Sequence, residues 1–493
     1  MTRLRFLRFG FTALLAVVAQ RANAQAPADT AAVLDSVARQ VVSLGAAHGS
    51  QIWPGYHPDS IPLDFVLPTH GDFLFNWRGA LPDGYSPLAG IAHAGWRDLR
   101  ALGAASTGTT IGGRRVAQVV VHSLDGASLT CTAFHEAFHV FQAAVRRDGR
   151  RFGAGENSFY VASYPVFNVD NEAGMALEGR ILAAALSARS DSARRRVARE
   201  FVATRRGRQQ QLDAEFAEFE RATELNEGLA QYALVRALDL LVAHGPVGWR
   251  ASARHQLAAE RARLDHLTND GRQSFRLRFY ATGPAMALLL DRLAPGWKTR
   301  LMERDETLQD ALGAASGLDS LAIAARNRAA GAFGLSERRR EADAAVKQLI
   351  ARREAQADSV LAAPGIKLVA RADSLPGRDF NNCGFDPQNL LQISPTVQLQ
   401  TRWWKPCAGG PTMMELNVPS VHDDSAGTVA AVIGADSTVK ITIGGKPVTM
   451  QDGDRLTAAE DVAIEAPRAT VHAARADLLR RGNTLVVTPR LAP

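Results

Sequence analysis

The spacing of apolar residues along the chain separates regions of different secondary structure. Between about residues 25 and 50, Val33, Val37 and Val41 recur at nearly helical intervals, which predicts one amphipathic helix. From 51 to 125, Pro, Gly and aromatic residues punctuate short apolar runs, and the run 116–121 is typical of a strand. This part of the chain is therefore expected to form a small N-terminal sheet.

The middle and the end of the chain differ in composition. Ala, Leu, Arg and Glu dominate as far as residue 363 and prolines are few, which predicts a mostly helical region. After Pro364 the content of Val, Thr, Ile and Gly rises, and the runs 438–443 and 484–488 predict strands. We therefore expect an α+β fold in three parts: the N-terminal helix and small sheet at 25–125, a helical part at 126–363 and a β-rich C-terminal domain at 364–493.

The first 24 residues have the pattern of a secretory signal peptide. Three arginines precede a short apolar run at 9–19, and Ala22-Asn23-Ala24 is a small-x-small cleavage site. We expect cleavage after Ala24 and export to the periplasm or the cell exterior. The rest of the chain has no run of about 18 uninterrupted apolar residues, so the mature protein is not expected to span a membrane.

The charge balance argues against a nucleic-acid partner. The formal charge of +7 falls by four, to +3, when the four arginines of the signal peptide are removed. Arginine-rich stretches such as 194–208 also contain acids and are interpreted as solvated helical faces.

The chain has three cysteines. Cys383 and Cys407 lie in loop-like sequence near the C-terminus, and export makes a disulfide between them chemically allowed. Cys131 is left over and is expected to be a buried thiol of the core.

A His-Glu-x-x-His sequence lies in the segment 132–142. His135 and His139 are four residues apart, so on a helix both imidazoles lie on one face and can reach one tetrahedral zinc ion. Glu136 points off that line, toward a metal-bound water, where a carboxylate can act as general base. The neighbouring residues carry no charge and no proline, so this helix can be buried. The segment therefore predicts zinc ligands at His135 and His139 and a catalytic base at Glu136.

A catalytic zinc also needs a third protein ligand and one open position. The segment 225–232, Leu-Asn-Glu-Gly-Leu-Ala-Gln-Tyr, resembles the third-ligand helix of gluzincin peptidases, the group that includes thermolysin and aminopeptidase N, in its NEGxAxY form. The resemblance implies a zincin-like catalytic domain with zinc as its cofactor and Glu227 as the third ligand. The 87 residues between His139 and Glu227 are many more than the family usually has, so a helical insertion must fill the difference.

Other acids compete with Glu227 as third ligand. The third-histidine pattern of metzincins fails, because Gln142 stands where that pattern has its glycine and no histidine follows three residues later. Glu172 follows an Asn, as the thermolysin-type ligand does, and Glu178 lies on the same predicted helix. The resemblance also makes Glu224, one turn before Glu227, a partner or a substitute ligand.

Two further segments resemble aminopeptidase-like gluzincins. The sequence Tyr-Ala-Thr-Gly at 280–283 is similar to a YxxG segment whose tyrosine stabilises the oxyanion. This implies the same role for Tyr280, since a phenol is a hydrogen-bond donor near neutral pH. The sequence Gly-Ala-Gly-Glu-Asn at 153–157 is similar to a substrate-amine motif, but it follows His-Glu-x-x-His instead of preceding it. We interpret it as a loop.

These features predict an exported zinc metallopeptidase that cleaves peptide or protein substrates by Glu136-assisted activation of a zinc-bound water. Two other functions stay open. One is a zinc hydrolase acting on a non-peptide bond, and the other is a non-catalytic binding or scaffold protein with a degenerate metallopeptidase core. The intact Glu136 favours the enzymes, since scaffolding does not need it.

Overall fold

The computed structural model describes residues 28–68, 70–98, 106–147, 149–157, 159–267, 275–318, 322–375, 377, 380–385, 389–394, 396–408 and 412–490. The predicted signal peptide lies outside these described residues. Within them the fold is α+β: helices fill the middle of the chain, a small sheet precedes them and a larger sheet follows.

The helices form where the apolar spacing predicted them. In the first, Leu34, Val37, Val41 and Leu44 are buried at intervals of three and four residues and pack against the helical core. No helix of the described residues is both long enough and apolar enough to cross a bilayer. In chain order the helices are α1 Ala28–Ile52, α2 Gly126–Ala144, α3 Tyr160–Ser163, α4 Val169–Ser187, α5 Asp191–Gln209, α6 Ala214–Thr223, α7 Leu229–His244, α8 Val247–Ala262, α9 Phe279–Leu293, α10 Trp297–Glu303, α11 Leu308–Ser316, α12 Ala322–Ala332 and α13 Leu335–Leu361.

The predicted N-terminal sheet is present and has six strands among the described residues. They are β1 Leu63–Leu67, β2 Gly71–Phe75, β3 Ser86–Pro87, β4 Gly95–Arg97, β5 Thr107–Ile111 and β6 Arg114–Val120. Their order is β3-β4-β2-β1-β6-β5, so β5 lies at an edge. Only the β1–β6 pair is parallel. Helix α2 packs on this sheet against β6 and β5.

A short hairpin and four helices separate α2 from Glu227. The hairpin consists of β7 Arg146–Arg147 and β8 Arg150–Arg151. Helices α3 to α6 follow it, and the longer of them, α4 and α5, pack against each other. This is the helical insertion that the long spacing required.

The C-terminal region forms a second sheet with its own apolar core. A disulfide joins Cys383 to Cys407 in this region, and the remaining cysteine, Cys131, is a buried free thiol. The described strands are β9 Ile366–Arg371, β10 Asn381–Phe385, β11 Leu390–Gln392, β12 Val397–Gln400, β13 Trp404–Cys407, β14 Met413–Leu416, β15 Ser420–Asp423, β16 Thr428–Gly434, β17 Lys440–Ile443, β18 Lys446–Val448, β19 Arg455–Ala466, β20 Ala469–Arg481 and β21 Thr484–Pro489.

Two carboxylates are buried inside the N-terminal sheet. Asp64 of β1 is fully buried and accepts a hydrogen bond from the Tyr85 hydroxyl at 3.3 Å. Asp72 of β2 is paired with Arg97 at 2.5 Å. Burial, with a further contribution from the Asp72 charge, raises the pKa of Asp64 to about 7.

The protonation of Asp64 should make the stability of the fold depend on pH. The folded chain holds this proton more tightly than the unfolded chain, so the free energy of unfolding falls as the pH rises from about 4 to about 7. Asp64→Asn removes this titration. We measure the free energy of unfolding in urea for Asp64→Asn and for the unmodified chain. The value for Asp64→Asn minus the value for the unmodified chain should be higher at pH 8 than at pH 4.5, by on the order of 3 kcal/mol. The exposed Asp83→Asn is the control, and an equal effect of Asp64→Asn at both pH values would contradict the assignment.

Candidate metal centre

Helix α2 presents the two histidines to a cleft. Asp125 caps its first turn and also accepts hydrogen bonds from Ser252 at 2.6 Å and Gln256 at 3.0 Å, which fixes the start of α2 on α8. His135 and His139 follow one turn apart, and their Nε2 atoms are 3.1 Å apart. Both imidazoles therefore point to the same place, as their spacing predicted.

A π-helical segment, Glu224–Gly228, joins α6 to α7 without a break. Such segments usually occur as single wide turns inside α-helices and are frequent at functional sites. This one carries Glu227, whose Oε2 lies 3.3 Å from Nε2 of His135 and 3.2 Å from Nε2 of His139. The structure thus brings Glu227 together with both histidines across 87 intervening residues.

The three converging atoms have the spacing of ligands on one metal ion. Zinc–ligand bonds of about 2.0–2.1 Å at tetrahedral angles place two ligand atoms about 3.3 Å apart. The observed separations are 3.1, 3.2 and 3.3 Å. Two imidazoles and a carboxylate suit zinc, although other divalent ions accept the same donors. The buried group of His135, Glu136 and His139, extended by Glu227, can therefore hold a metal ion.

The charges around the three converging atoms favour the binding of a cation between them. Burial by itself raises the pKa of Glu227, but hydrogen bonds and charges from His135 and His139 outweigh it, and the pKa falls far below its usual range. Burial lowers the pKa of His139, but Glu227 reverses the shift and raises that pKa above its usual value. A cation placed between these groups is stabilised by the same carboxylate.

Gln142, one turn after His139, sets the orientation of that ring. Its side-chain oxygen lies 2.9 Å from Nδ1 of His139, so Nδ1 donates its proton there and Nε2 is left as the atom with a free lone pair. The Gln142 amide in turn donates to the carbonyls of Leu225 at 2.9 Å and Asn226 at 3.1 Å. Gln142 therefore joins the histidine helix to the π-helical segment. Its position on the same face as His139 was visible in the sequence, but its role was not inferred.

Glu136 lies beside the converging atoms and lines the same cleft. Burial raises its pKa, while His135 and His139 oppose the shift. Its buried Oε2 has no hydrogen-bond partner among the described residues. A carboxylate of the cleft lining that is not committed to an arginine is suited to accept a proton from a molecule bound there.

Arg276 connects Glu227 to Tyr280. Its guanidinium donates to Oε1 of Glu227 at 2.9 Å, to the Tyr280 hydroxyl oxygen at 2.8 Å and to Glu156 at 2.5 Å. The Tyr280 ring lies parallel to His135, with ring centroids 5.8 Å apart. Burial and the Glu227 charge raise the pKa of Tyr280, so the phenol keeps its proton.

The contribution of Glu156 was missed from the sequence. Its segment is a loop, as interpreted, but the side chain reaches the centre, where it also accepts a hydrogen bond from Asn226 at 2.8 Å. Arg276 was missed as well, because nothing in its local sequence marks it.

Two glycines allow helix α9 to approach the π-helical segment at backbone distance. A Cβ added at Gly283 would lie 2.5 Å from the Cα of Gly228, and a Cβ added at Gly228 would lie 2.8 Å from the Cα of Gly283. Neither separation is tolerated without movement of the backbone. Gly228 directly follows Glu227, and Gly283 lies one turn after Tyr280. The two glycines therefore set how closely the backbones that carry Glu227 and Tyr280 approach each other.

The three alternative ligands are paired with arginines instead. Glu178 binds Arg205 at 2.8 Å and Arg208 at 2.6 Å. Glu224 binds Arg205 at 2.6 Å, and Glu172 forms an ion pair with Arg278. Of the acids considered as third ligand, the structure brings Glu227 to the histidines.

The centre opens into a cleft of about 1210 Å³. Ser106 and residues of the edge strand β5, Thr107 and Gly108, line it on one side. The His-Glu-x-x-His residues and Tyr280 also line it. The cleft is therefore large enough for a small-molecule or peptide ligand beside the candidate metal position.

Comparisons of the chain with protein-family models, with curated proteins and with solved structures find no match. The resemblance to gluzincins noted in the sequence thus rests on the short segments around His135, Glu227 and Tyr280.

The role of Gln142 can be tested with Gln142→Leu. The substitution removes the acceptor of the His139 Nδ1 proton and both links to the π-helical segment, so we expect zinc affinity to fall by about 10- to 100-fold. Competition with a chromophoric chelator measures it. Gln210→Leu, an exposed glutamine outside the cleft, is the control. Unchanged zinc affinity in a folded Gln142→Leu chain would rule this role out.

The close approach of α9 can be tested with Gly283→Ala. The added methyl must push α9 away from Gly228, so we expect lower thermal stability together with weaker zinc binding. Gly248→Ala is the matched control, because a Cβ at this helical position meets nothing within 4 Å. It should stabilise slightly, by about 0.5–1 kcal/mol, with zinc affinity unchanged. Equal behaviour of the two variants would show that the contact is unimportant.

Proposed function

We propose that this protein is an exported zinc metallopeptidase of gluzincin type. The observation that carries the proposal is the convergence of Nε2 of His135, Nε2 of His139 and Oε2 of Glu227, with Glu136 beside them in the lining of the cleft. His135, His139 and Glu227 would hold the metal, and this arrangement leaves a coordination position toward the cleft for substrate or water.

The proposed reaction is hydrolysis assisted by Glu136. A zinc ion held here supplies Lewis-acid chemistry, polarising the scissile carbonyl and making water more acidic. Glu136 accepts the proton of the attacking water and donates it to the departing amine, so the carboxylate is regenerated. The lack of a protein partner for its Oε2 supports this role, since a carboxylate committed to an arginine would be a poorer base.

Tyr280 is proposed to stabilise the oxyanion that forms at the carbonyl. Arg276 donates to the oxygen of the phenol, and the phenol's own proton is hydrogen-bonded to Glu227, from which it would turn to the oxyanion during the reaction. Because Arg276 also binds Glu227, the donor and the third ligand are held by one guanidinium. A fixed donor next to the reacting carbonyl is the feature that such stabilisation requires.

The edge strand beside the centre favours a peptide over other substrates. Strand β5 pairs with β6 along one edge, and Thr107 and Gly108 line the cleft. An extended peptide can add to such an edge through backbone hydrogen bonds, which places its amide bonds along the cleft. This supports peptide hydrolysis over cleavage of a non-peptide bond.

Export is part of the same proposal. It rests on the signal-like sequence of residues 1–24 and is supported by the disulfide between Cys383 and Cys407, a bond that is rare in reducing compartments.

Metal analysis and peptide cleavage together test the proposed function. We expect one zinc per chain in the mature protein, lost in His139→Ala and in Glu227→Ala. Glu218→Ala, which removes an exposed acid of α6 outside the cleft, is the matched control and should keep its zinc. Glu136→Gln should also keep zinc but lose about 10²–10⁴-fold in kcat/KM on a mixture of peptides.

The other outcomes separate the alternative functions. A chain that takes up no zinc, even when the metal is supplied, would favour the scaffold protein. Zinc binding with no cleavage of any peptide, but with hydrolysis of an ester or a glycoside, would favour a different hydrolase. Zinc retained in Glu227→Ala would reject Glu227 as the third ligand.

A further inference from the structure

A hairpin of arginines follows the metal-binding helix directly. Strands β7 and β8 pair Arg146 with Arg151 in backbone register, so these two arginines stand opposite each other across the hairpin. Like charges directly opposite each other destabilise a strand pair. The next residue, Phe152, is buried in the core and its backbone N–H donates to the carbonyl of Val145 at 3.0 Å, which fixes the hairpin in place. An unfavourable charge arrangement is thus held rigidly.

Arg146 and Arg151 line the cleft, together with Arg115 at the start of β6. The chain turns back between β6 and α2, so the start of β6 lies beside the end of α2. These three arginines of the cleft lining belong to the elements on either side of the end of α2, beyond His139, and we call Arg115, Arg146 and Arg151 the basic end of the cleft.

The hydrogen bonds of the basic end go to neutral groups. Arg146 donates to the carbonyl of Ala143 at 2.8 Å, and Arg151 donates to the side-chain oxygen of Asn226 at 3.0 Å. The ion pairs found between described residues include none made by Arg115, Arg146 or Arg151.

Among the described residues that line the cleft, the acids lie outside the basic end. Glu136 and Glu227 belong to the metal centre. Glu260 lies on α8, one turn after the Gln256 that binds the start of α2, and it accepts a hydrogen bond from Gln231 at 2.8 Å. The cleft is thus positively charged at one end, with the metal centre between that end and Glu260.

We propose that the basic end binds a carboxylate of the substrate peptide, an inference that rests on the peptidase function proposed above. Guanidinium groups bind carboxylates through paired, charge-assisted hydrogen bonds. The carboxylate comes from an aspartate or glutamate side chain, or from the C-terminus of a peptide, a few residues from the bond that is cleaved. The preferred substrates are therefore acidic, and the repulsion within the hairpin is relieved when they bind.

Binding to the zinc-loaded Glu136→Gln chain tests this separately from catalysis. Four labelled peptides of one length are compared: central glutamate or lysine with an amidated C-terminus, and central glutamine with either an amidated or a free C-terminus. We expect a carboxylate-bearing peptide to bind about tenfold more tightly than the neutral one, and high salt should reduce the advantage. The glutamate peptide and the free C-terminus distinguish the two sources of carboxylate.

The arginines are tested in the same assay. Arg115→Gln combined with Arg146→Gln should remove most of the advantage, and Arg340→Gln, an exposed arginine of α13 outside the cleft, should not. Equal affinity for neutral and acidic peptides, or an advantage that survives the double substitution, would overturn the proposal. Charge-selective binding without cleavage by the unmodified chain would instead overturn the peptidase function alone. Cleavage without any charge preference would overturn this inference alone.

Discussion

The structure is organised around the cost of burying two imidazoles and a carboxylate at one point. His135, His139 and Glu227 place three ligand atoms within 3.3 Å of each other, and such a group is stable only when a cation or protons hold it together. The three atoms stay together only if α2, which carries the histidines, and the π-helical segment, which carries Glu227, keep their relative positions. Gln142 supplies one connection and Arg276 supplies another, and each binds the π-helical segment through groups other than the converging atoms.

The helical insertion has a physical role in this arrangement. It contributes Arg205 and Arg208, which pair with Glu178, Glu220 and Glu224. Both arginines are buried, so the interpretation of 194–208 as a solvated helical face was wrong for this side of the helix. Arg208 outweighs the effect of burial and lowers the pKa of Glu220 to about 2, so this carboxylate is ionised. Removing one member of a buried network leaves an uncompensated charge and is strongly destabilising. Because Glu224 belongs to both the network and the π-helical segment, the insertion fixes the backbone from which Glu227 projects.

Spacing rules predicted contacts within one element and were less informative between elements. The positions of His135 and His139 follow from helical geometry alone, and β6 and α1 followed from their apolar patterns. Local sequence did not distinguish Glu227 from Glu172, because the arginine that binds Glu172 lies 106 residues away. The π-helical turn is likewise imposed by packing, in particular by the glycine contact with α9. Arg276 lies 49 residues from Glu227 in the sequence, so no spacing rule within one element could have predicted its contact.

Helix α2 links the metal centre to the basic end of the cleft and so sets the distance between them. From His139 to Ala144 the helix advances about 7.5 Å along its axis, and the two further residues to Arg146 in β7 bring the reach to at most about 14 Å. An extended peptide covers that length in a few residues. A carboxylate bound at the basic end would thus place a bond a few residues away over the metal centre. Anchoring by Phe152 and Asn226 keeps this spacing constant, so that one rigid helix and its hairpin would determine both the chemistry and the length of substrate recognised.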